Sequence, residues 1–305
     1  MRPSYFEDLE GFAKFEYIEP KTIKEACSLL SQYKEKAKVI AGGTKILASI
    51  KEKEISPQYL INLKNVSNLE YINYGDEEGL KIGALTTLFD ISRSSIVNDK
   101  AKIFAEAIQQ RELDFNKTRW AYYMATLGGH LSNSKTSAEI IPPMLVLEAK
   151  AVIEGPKGWK TIPIEEFFTN TGAPVLQSDE VIIEIRIPKQ PAEMGLVFMK
   201  SLRTNDVPTF NVAILLKLDA KHVNIEDLKI VVSGITPNPL EVHEAEGIMK
   251  GKAIDNDLIE ETAQAAAREV ADRSGMETLG KTKELIEEAI RQAVDRAIGD
   301  FALGY

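Results

Sequence analysis

Two glycine pairs, about eighty-six residues apart, are the positions of this chain best suited to chemistry. One lies in residues 39–44 (VIAGGT) and the other in residues 125–130 (ATLGGH), so each follows a short apolar run and precedes a polar residue. Glycine permits a positive φ and lets backbone N–H groups approach an anion without a Cβ in the way. Two such loops suit two linked phosphates, and they predict a dinucleotide ligand.

A single glycine pair is more often an ordinary turn. Neither segment has the spacing of the G-x-G-x-x-G dinucleotide fingerprint or of the G-x-x-x-x-G-K-[ST] phosphate loop. The simple Rossmann and P-loop NTPase interpretations are therefore rejected. Each pair is followed by a possible helix start, where backbone amides favour anions, and the repetition favours phosphate binding over a turn alone.

Other residues with catalytic potential do not form a recognisable site. The three histidines, His130, His222 and His243, are scattered, and neither an H-E-x-x-H nor a G-x-S-x-G motif is present. The single Cys27 excludes a disulfide framework and any cysteine-ligated zinc or iron–sulfur site made by this chain alone. We therefore expect neither catalytic residues nor a metal site in this chain, and we expect a cofactor to supply the chemistry.

The amino-acid composition of the chain limits the kinds of molecule that it is expected to bind. The 305 residues are 44% hydrophobic and 27% charged, with a formal net charge of −9 and no stripe rich in lysine and arginine. Nucleic acid and anionic membrane surfaces are therefore poor partners. The N-terminal residues lack the apolar segment of a signal peptide, and no apolar run approaches the ~20 residues that span a bilayer. We expect a cytoplasmic protein of two or three compact units without a membrane span.

The elements around the first glycine pair read as an α/β unit. Thr22 and Glu25 form a capping box that predicts a helix start. A short strand over residues 38–41 then leads into the glycine pair, Thr44 is expected to cap a helix that continues through Ile50, and residues 59–63 form another strand.

The rest of the chain changes to antiparallel patterns. Two hairpins are predicted, over residues 70–84 and 149–164, and helices over residues 102–111 and 137–147. In residues 180–188, Val181, Ile183, Ile185 and Ile187 alternate with charged neighbours, which predicts a half-buried strand. Beyond a boundary at residues 188–191, three strands precede three helices, which predicts an α+β unit with its helices on one side of the sheet.

Taken in order, these segments resemble the FAD-binding subunit of the xanthine dehydrogenase, aldehyde oxidase and carbon monoxide dehydrogenase group of molybdenum hydroxylases. The resemblance covers most of the chain, from Phe15 to about Leu279. Six segments carry the resemblance. Residues 20–30 are similar to the family's P-x-T-x-x-E-A-x-x-L-L, residues 41–47 to A-G-G-T-D-L-L and residues 82–87 to I-G-A-x-T-T. Residues 125–130 are similar to A-T-I-G-G-N, residues 179–188 to D-E-I-I-T-E-I-R-I-P and residues 234–239 to G-x-x-P-x-P.

The resemblance implies an α+β fold. It predicts a two-lobed α/β FAD-binding domain, similar to vanillyl-alcohol-oxidase and PCMH-type domains, over residues 1–188, with lobes of about 1–66 and 67–188. A C-terminal domain of the carbon monoxide dehydrogenase flavoprotein type would follow over residues 192–305, with an antiparallel sheet and helices. FAD would lie between these units.

The resemblance also implies the residues that contact FAD. The first loop would wrap the pyrophosphate with backbone amides, and the second loop would hold its other side and the ribityl chain. Glu139 would bind the sugar, Leu176 would lie against the adenine, and Lys200 would lie near the flavin. The full predicted set is Val39, Ile40, Ala41, Gly42, Gly43, Thr44, Lys45, Ile46, Thr126, Gly128, Gly129, His130, Ser132, Glu139, Leu176 and Lys200.

The implied function is electron transfer in a heteromeric cytoplasmic oxidoreductase. A partner [2Fe–2S] subunit would exchange electrons with FAD on this chain, a partner molybdenum-cofactor subunit would act on the substrate, and NAD, a quinone or ferredoxin would serve as electron acceptor. Two alternatives remain open. One is a stand-alone FAD oxidase or reductase. The other is a flavin-free structural subunit, because the chain departs from the family at residues 122–124, at His130 and at Glu139.

Overall fold

Three β-sheets, each with its own helices, make up the part of the chain that the computed structural model describes, namely residues 14–114, 119–133, 139–191, 194–201, 210–275 and 279–302. The first sheet is parallel and has the order β1-β3-β2. It contains β1 (Glu16–Ile18), β2 (Ala37–Ile40) and β3 (Tyr59–Asn62), connected by the helices α1 (Ile23–Tyr33) and α2 (Ile46–Lys51). Helical crossovers are what parallel strands require.

The predicted cap of α1 is confirmed. The Thr22 hydroxyl accepts the Glu25 N–H at 3.1 Å, and the Glu25 carboxylate accepts the Lys21 N–H at 2.7 Å. The predicted cap of α2 was wrong, because the residue before the helix is Lys45, whose backbone is already helical and whose side chain makes no capping bond. Thr44 therefore stands one position too early to cap the helix.

The second sheet is antiparallel and has the order β4-β5-β8-β6-β7. Both predicted hairpins are present. The strands are β4 (Ile72–Gly75), β5 (Gly79–Gly83), β6 (Lys150–Gly155), β7 (Gly158–Pro163) and β8 (Val181–Ile187). The predicted alternation along β8 was only partly right: Ile182 is buried and Ile183 is half-buried. This follows from the central position of β8, where helices and loops cover both faces of the strand.

Between β5 and β6, the residues that the structure describes form six α-helices. They are α3 (Leu88–Arg93), α4 (Ser95–Lys100), α5 (Lys102–Asp114), α6 (Arg119–Met124), α7 (Leu127–Leu131) and α8 (Ile141–Val146). The helix predicted over residues 137–147 is thus shorter, with Pro142 and Pro143 in its first turn, where their missing N–H groups leave no helical bond unmade. Residues 137–138 lie outside the described residues.

The third sheet is antiparallel, with the order β12-β11-β10-β9. Its strands are β9 (Met194–Lys200), β10 (Asn211–Leu218), β11 (Ile225–Ser233) and β12 (Leu240–Glu241), and they are followed by α9 (His243–Met249), α10 (Asn256–Ser274) and α11 (Leu279–Ala302). Sequence reasoning missed β12, which has only two residues. Val212 and Ile214 pack towards α10 and α11, whereas Ala213 and Leu215 pack towards the core of the second sheet. The predicted α+β class is confirmed, while the domain limits stay a prediction.

Candidate functional site

A cavity of about 580 Å³ lies at the carboxyl end of β2, where the two glycine pairs approach each other. The carboxyl ends of parallel strands are common ligand sites in α/β units. Thirteen of the sixteen predicted binding residues line this cavity: Val39, Ala41, Gly42, Gly43, Thr44, Lys45, Ile46, Thr126, Gly128, Gly129, His130, Ser132 and Leu176.

The first glycine pair forms an open turn between β2 and α2. Gly43 has a φ of 74°, a conformation in which a side chain is strained. Toward the residues that the structure describes, the N–H groups of Gly42, Gly43, Thr44 and Lys45 make no hydrogen bond. Four successive amides without a protein acceptor, on the wall of a cavity, form a concave surface suited to an anion.

Gly42 packs against Met124, the last residue of α6, which lies just before the second glycine pair in the sequence. A Cβ on Gly42 would lie 1.8 Å from the carbonyl oxygen of Met124, at the end of α6. Any side chain would therefore push the turn away from α6. The close contact explains why glycine stands here although Gly42 itself has an ordinary backbone conformation.

The second glycine pair lies inside α7, and its amides are occupied. The Leu127 and Gly128 N–H groups donate to the carbonyl oxygens of Thr86 and Ala84 at 3.0 and 2.8 Å. The Thr126 hydroxyl accepts the Gly129 N–H at 3.3 Å, and the Thr126 carbonyl accepts the next amide at 2.8 Å. All four amides at the start of this helix thus have protein partners. The sequence-based expectation that this loop offers free amides does not match this geometry.

Close packing explains the small residues of α7. A Cβ on Gly128 would lie 2.8 Å from the Cβ of Ala84, so the helix start sits directly on the segment after β5. A Cβ on Gly129 would meet only the Thr126 hydroxyl, at 2.8 Å. The pair therefore allows α7 to pack closely on its neighbours, and both glycines line the cavity.

Three predicted residues do not line the cavity. Ile40 is buried beside Ile50 and Leu60 in a small core of the first sheet. Glu139 and Lys200 form an ion pair with 3.5 Å between Oε1 and Nζ, and each side chain keeps about one fifth of its exposure (21% and 19%). Their roles toward a cofactor stay predictions.

Sequence reasoning missed a second group of lining residues. Four of these eleven residues come from the strand β8 and from the segment after β5, which were recognised as motifs but not as walls of this cavity. The local pattern contains no signal for this placement, because only the antiparallel pairing of β5 with β8 brings these segments together. The additional residues are Ser49, Ile55, Leu63, Ala84, Leu85, Ala121, Ala125, Asn133, Glu180, Val181 and Ile182.

The charges around the cavity favour an anion near the first turn. Among the described lining residues, Lys45 is the cationic side chain and Glu180 the carboxylate. Glu180 is neutralised by Lys160 at 2.6 Å and accepts the Gln177 N–H at 3.0 Å. Lys45 therefore supplies a positive charge that can attract an anion at this turn.

Cys27, behind the cavity, remains a neutral thiol. Burial, together with the carboxylates of Glu154, Asp179 and Glu180, raises its pKa to about 11. Its Sγ contacts the backbone oxygen of Glu154 at 3.5 Å. A protonated, enclosed thiol is a packing group and not a nucleophile. Within the described residues, no group of three or more His, Cys, Asp or Glu side chains is arranged to hold a metal ion.

The donor set of the cavity fits FAD. Free amides and one cation at one end suit the two phosphates, and the apolar walls formed by Leu63, Leu85 and Val181 suit the rings. The volume lies within the range of about 300–1,000 Å³ that is typical of small-molecule sites.

Comparisons with known proteins indicate the same cofactor. Residues 13–190 match the FAD binding domain in molybdopterin dehydrogenase, and residues 198–282 match the CO dehydrogenase flavoprotein C-terminal domain. The carbon monoxide dehydrogenase medium chain of Hydrogenophaga pseudoflava is 30% identical over 83% of this chain and 86% of its own length. The xanthine dehydrogenase FAD-binding subunit of Escherichia coli O157:H7 is 26% identical over 91% of this chain and 96% of its own.

A solved structure supports the same conclusion. The chain aligns with a chain of the H. pseudoflava carbon monoxide dehydrogenase that lacks the Mo-pyranopterin moiety, with a TM-score of 0.79, 26% identity and coverage of 95% and 99% of the two chains. FAD as cofactor and the oxidoreductase class are thereby confirmed. Among the described residues, no helix is long and apolar enough to cross a membrane. The chain belongs to the family of FAD-binding proteins of the molybdopterin dehydrogenases.

Proposed function

We propose that this chain holds FAD in the 580 Å³ cavity and exchanges electrons between a partner [2Fe–2S] subunit and an external two-electron acceptor. When bound, FAD supplies a ring system that reacts in both one-electron and two-electron steps. The observation that carries the proposal is the row of free amides at residues 42–45, on the wall of a cavity with apolar sides.

In this proposal the first turn recognises the pyrophosphate. The N–H groups of Gly42, Gly43, Thr44 and Lys45 donate to its oxygens, and the Lys45 ammonium adds a positive charge. Because these donors are held by the turn before any ligand arrives, binding requires little reorganisation of the chain.

The other walls position and shield the rings. Leu85, Val181 and Leu176 exclude water, while the face of α7 with Gly129 and His130 leaves room for the chain between ring and phosphate. Glu139 and Lys200 are proposed to act at the sugar and near the flavin. The ion pair between Glu139 and Lys200 supports a joint role, because movement of either side chain would change the position of the other.

Partners supply the remaining redox centres. Relatives of this chain are named as the medium chain or the FAD-binding subunit of larger enzymes, which supports assembly into a complex. The one cysteine of this chain cannot ligate an iron–sulfur cluster, so a [2Fe–2S] subunit and a molybdenum-cofactor subunit are proposed. NAD, a quinone or ferredoxin is proposed as acceptor, and the cytoplasm as the compartment.

The absorption spectrum of the purified chain, together with mass identification of the cofactor released on denaturation, tests the proposal. Flavin bands and released FAD are the expected result, with slow turnover of the lone chain. A folded chain that is colourless and does not bind added FAD would contradict the proposed site. Steady turnover by the lone chain would instead favour a stand-alone oxidase or reductase.

A further inference from the structure

A second cavity, of about 450 Å³, lies beside the other stretch of β8. Val181 and Ile182 line the first cavity, whereas Ile183, Glu184 and Arg186 line this one. Its remaining walls come from the first turn of α1, from residues 67–71 and from β6. No lining residue is shared with the first cavity, so the second cavity is a separate site.

Two carboxylates are buried in the wall of this second cavity. Glu154 and Glu184 are each only 8% exposed. Glu184 is fully engaged, because it accepts the Tyr71 hydroxyl and pairs with the Arg186 guanidinium. Burial and the bond to Glu184 raise the pKa of Tyr71, so its hydroxyl stays a donor.

The carboxylate of Glu154 has a different environment from that of Glu184. Toward the described residues, its carboxylate makes neither a hydrogen bond nor an ion pair, although its backbone oxygen contacts the Cys27 thiol. The first turn of α1 lies nearby and contributes a partial positive charge, but it donates no hydrogen bond to this carboxylate. A buried carboxylate without donors is unfavourable unless a cation pairs with it.

We propose that the second cavity binds a primary ammonium group on a short apolar stem, with Glu154 as its counterion. The stem would contact Ile23, Leu69 and Ile183, which form apolar walls. A metal ion is disfavoured, since Glu184 is engaged and the described residues offer no group of three ligands. Lys24 lines the mouth, but it is exposed and forms no ion pair with Glu154.

Titration of the full chain with n-butylammonium chloride, followed by NMR of isoleucine δ1 methyl groups, tests this site. The signals of Ile23 and Ile183 should shift and saturate, whereas n-butanol, which is neutral and similar in size, should leave them unchanged. Equal shifts with n-butanol would overturn the proposal without any need for a variant.

Glu154→Gln removes the charge and keeps the shape, and it should weaken n-butylammonium binding at least about tenfold, as expected for loss of a charged hydrogen bond. The matched control, Glu52→Gln, removes an exposed carboxylate outside the cavity and should leave binding unchanged. Unchanged binding in Glu154→Gln would refute the assignment. So would binding that appears only in Lys24→Met, because Lys24 would then be the natural partner of Glu154.

A second probe distinguishes two sources of the ammonium. Nα-acetyl-lysine amide carries the same group at the end of a lysine side chain. Binding at least as tight as that of n-butylammonium assigns the cavity to a lysine of a partner protein, whereas tenfold weaker binding assigns it to a free amine. Failure of both probes would overturn the proposal and would leave the FAD site untouched, since the cavities share no residue.

Discussion

The two glycine pairs have similar sequences, yet their backbones differ. In residues 39–44 the pair lies in a turn, one glycine has a positive φ, and the amides of Gly42 and Gly43 have no acceptor among the described residues. In residues 125–130 the pair lies within α7, neither glycine has a positive φ, and the amides of Gly128 and Gly129 donate to protein oxygens. One pair provides donors, while the other permits close packing.

The difference shows that a glycine pair does not define a phosphate site by itself. What matters is whether the chain around it has already satisfied the amides. Thr126 caps α7 through its side chain, and the carbonyls of Ala84 and Thr86 accept the two amides that remain. In the described part of the chain, no residue performs this role for the first turn, and α2 begins without a side-chain cap.

Gly42→Ala should have the largest effect on FAD. Its Cβ would overlap the Met124 carbonyl oxygen at 1.8 Å, so the turn must move and its donors lose their arrangement. We expect FAD affinity to fall by a factor on the order of 100, a loss of about 2.7 kcal/mol, measured by fluorescence titration. Gly247→Ala is the matched control, because a Cβ there meets nothing within 4 Å. Retention of wild-type affinity in Gly42→Ala would show that the turn does not hold the pyrophosphate.

Gly128→Ala should affect stability more than binding. The new Cβ would lie 2.8 Å from the Ala84 Cβ, and overpacking of this kind lowers the free energy of unfolding by about 1–3 kcal/mol. Urea unfolding measures the loss. FAD titration of the folded variant should give an affinity within about threefold of wild type, since the amides at the start of α7 already donate to protein oxygens. A loss of affinity without a loss of stability would reverse the roles of the two pairs.

Gly43→Ala and Gly129→Ala form a matched pair. At Gly43 the φ of 74° strains alanine by about 1–2 kcal/mol, and relaxation of the turn should weaken FAD binding about tenfold. At Gly129 the backbone is helical, which favours alanine, but the new Cβ would displace the Thr126 hydroxyl, 2.8 Å away, and weaken the cap of α7. These two effects oppose each other, so unfolding stability should change by less than about 1 kcal/mol. The comparison fails if both variants bind FAD equally well, or if Gly129→Ala is the weaker binder.

Lys45→Met should have the smallest effect. Lys45 is exposed, so its attraction to the pyrophosphate is screened by solvent and salt. We expect FAD affinity to fall about threefold at low salt and to approach that of wild type at about 1 M salt. Titrations at both ionic strengths measure this, with Lys51→Met, at the far end of α2, as control. An equal loss at both salt concentrations would argue against an electrostatic role.

Local patterns predicted much of this fold. Thr22 and Glu25 mark the start of α1, and the alternating residues of β8 mark a strand, because these signals act over a few residues. The cap at Thr44 was wrong for the opposite reason. The turn before α2 packs against Met124, which is distant in sequence, and a short-range capping pattern carries no information on such a contact.

The candidate site was predictable in its loops but not in its walls. The loop residues come from motifs that can be read directly, whereas Leu85 and Ile182 reach the cavity only through sheet pairing. The different use of the two glycine pairs also depends on tertiary contacts, since Ala84 and Thr86 occupy the amides of α7. A sequence pattern identifies potential donors, and the fold decides which of them remain free.

Amide hydrogen exchange of the full chain, resolved by NMR with and without FAD, tests the central claim most directly. The amides of residues 42–45 should exchange fast without FAD and become protected when FAD binds. The amides of residues 127–130 should be protected already and should change little. Protection that appears at residues 127–130 and not at residues 42–45 would show that the second glycine pair, and not the first, donates to the pyrophosphate.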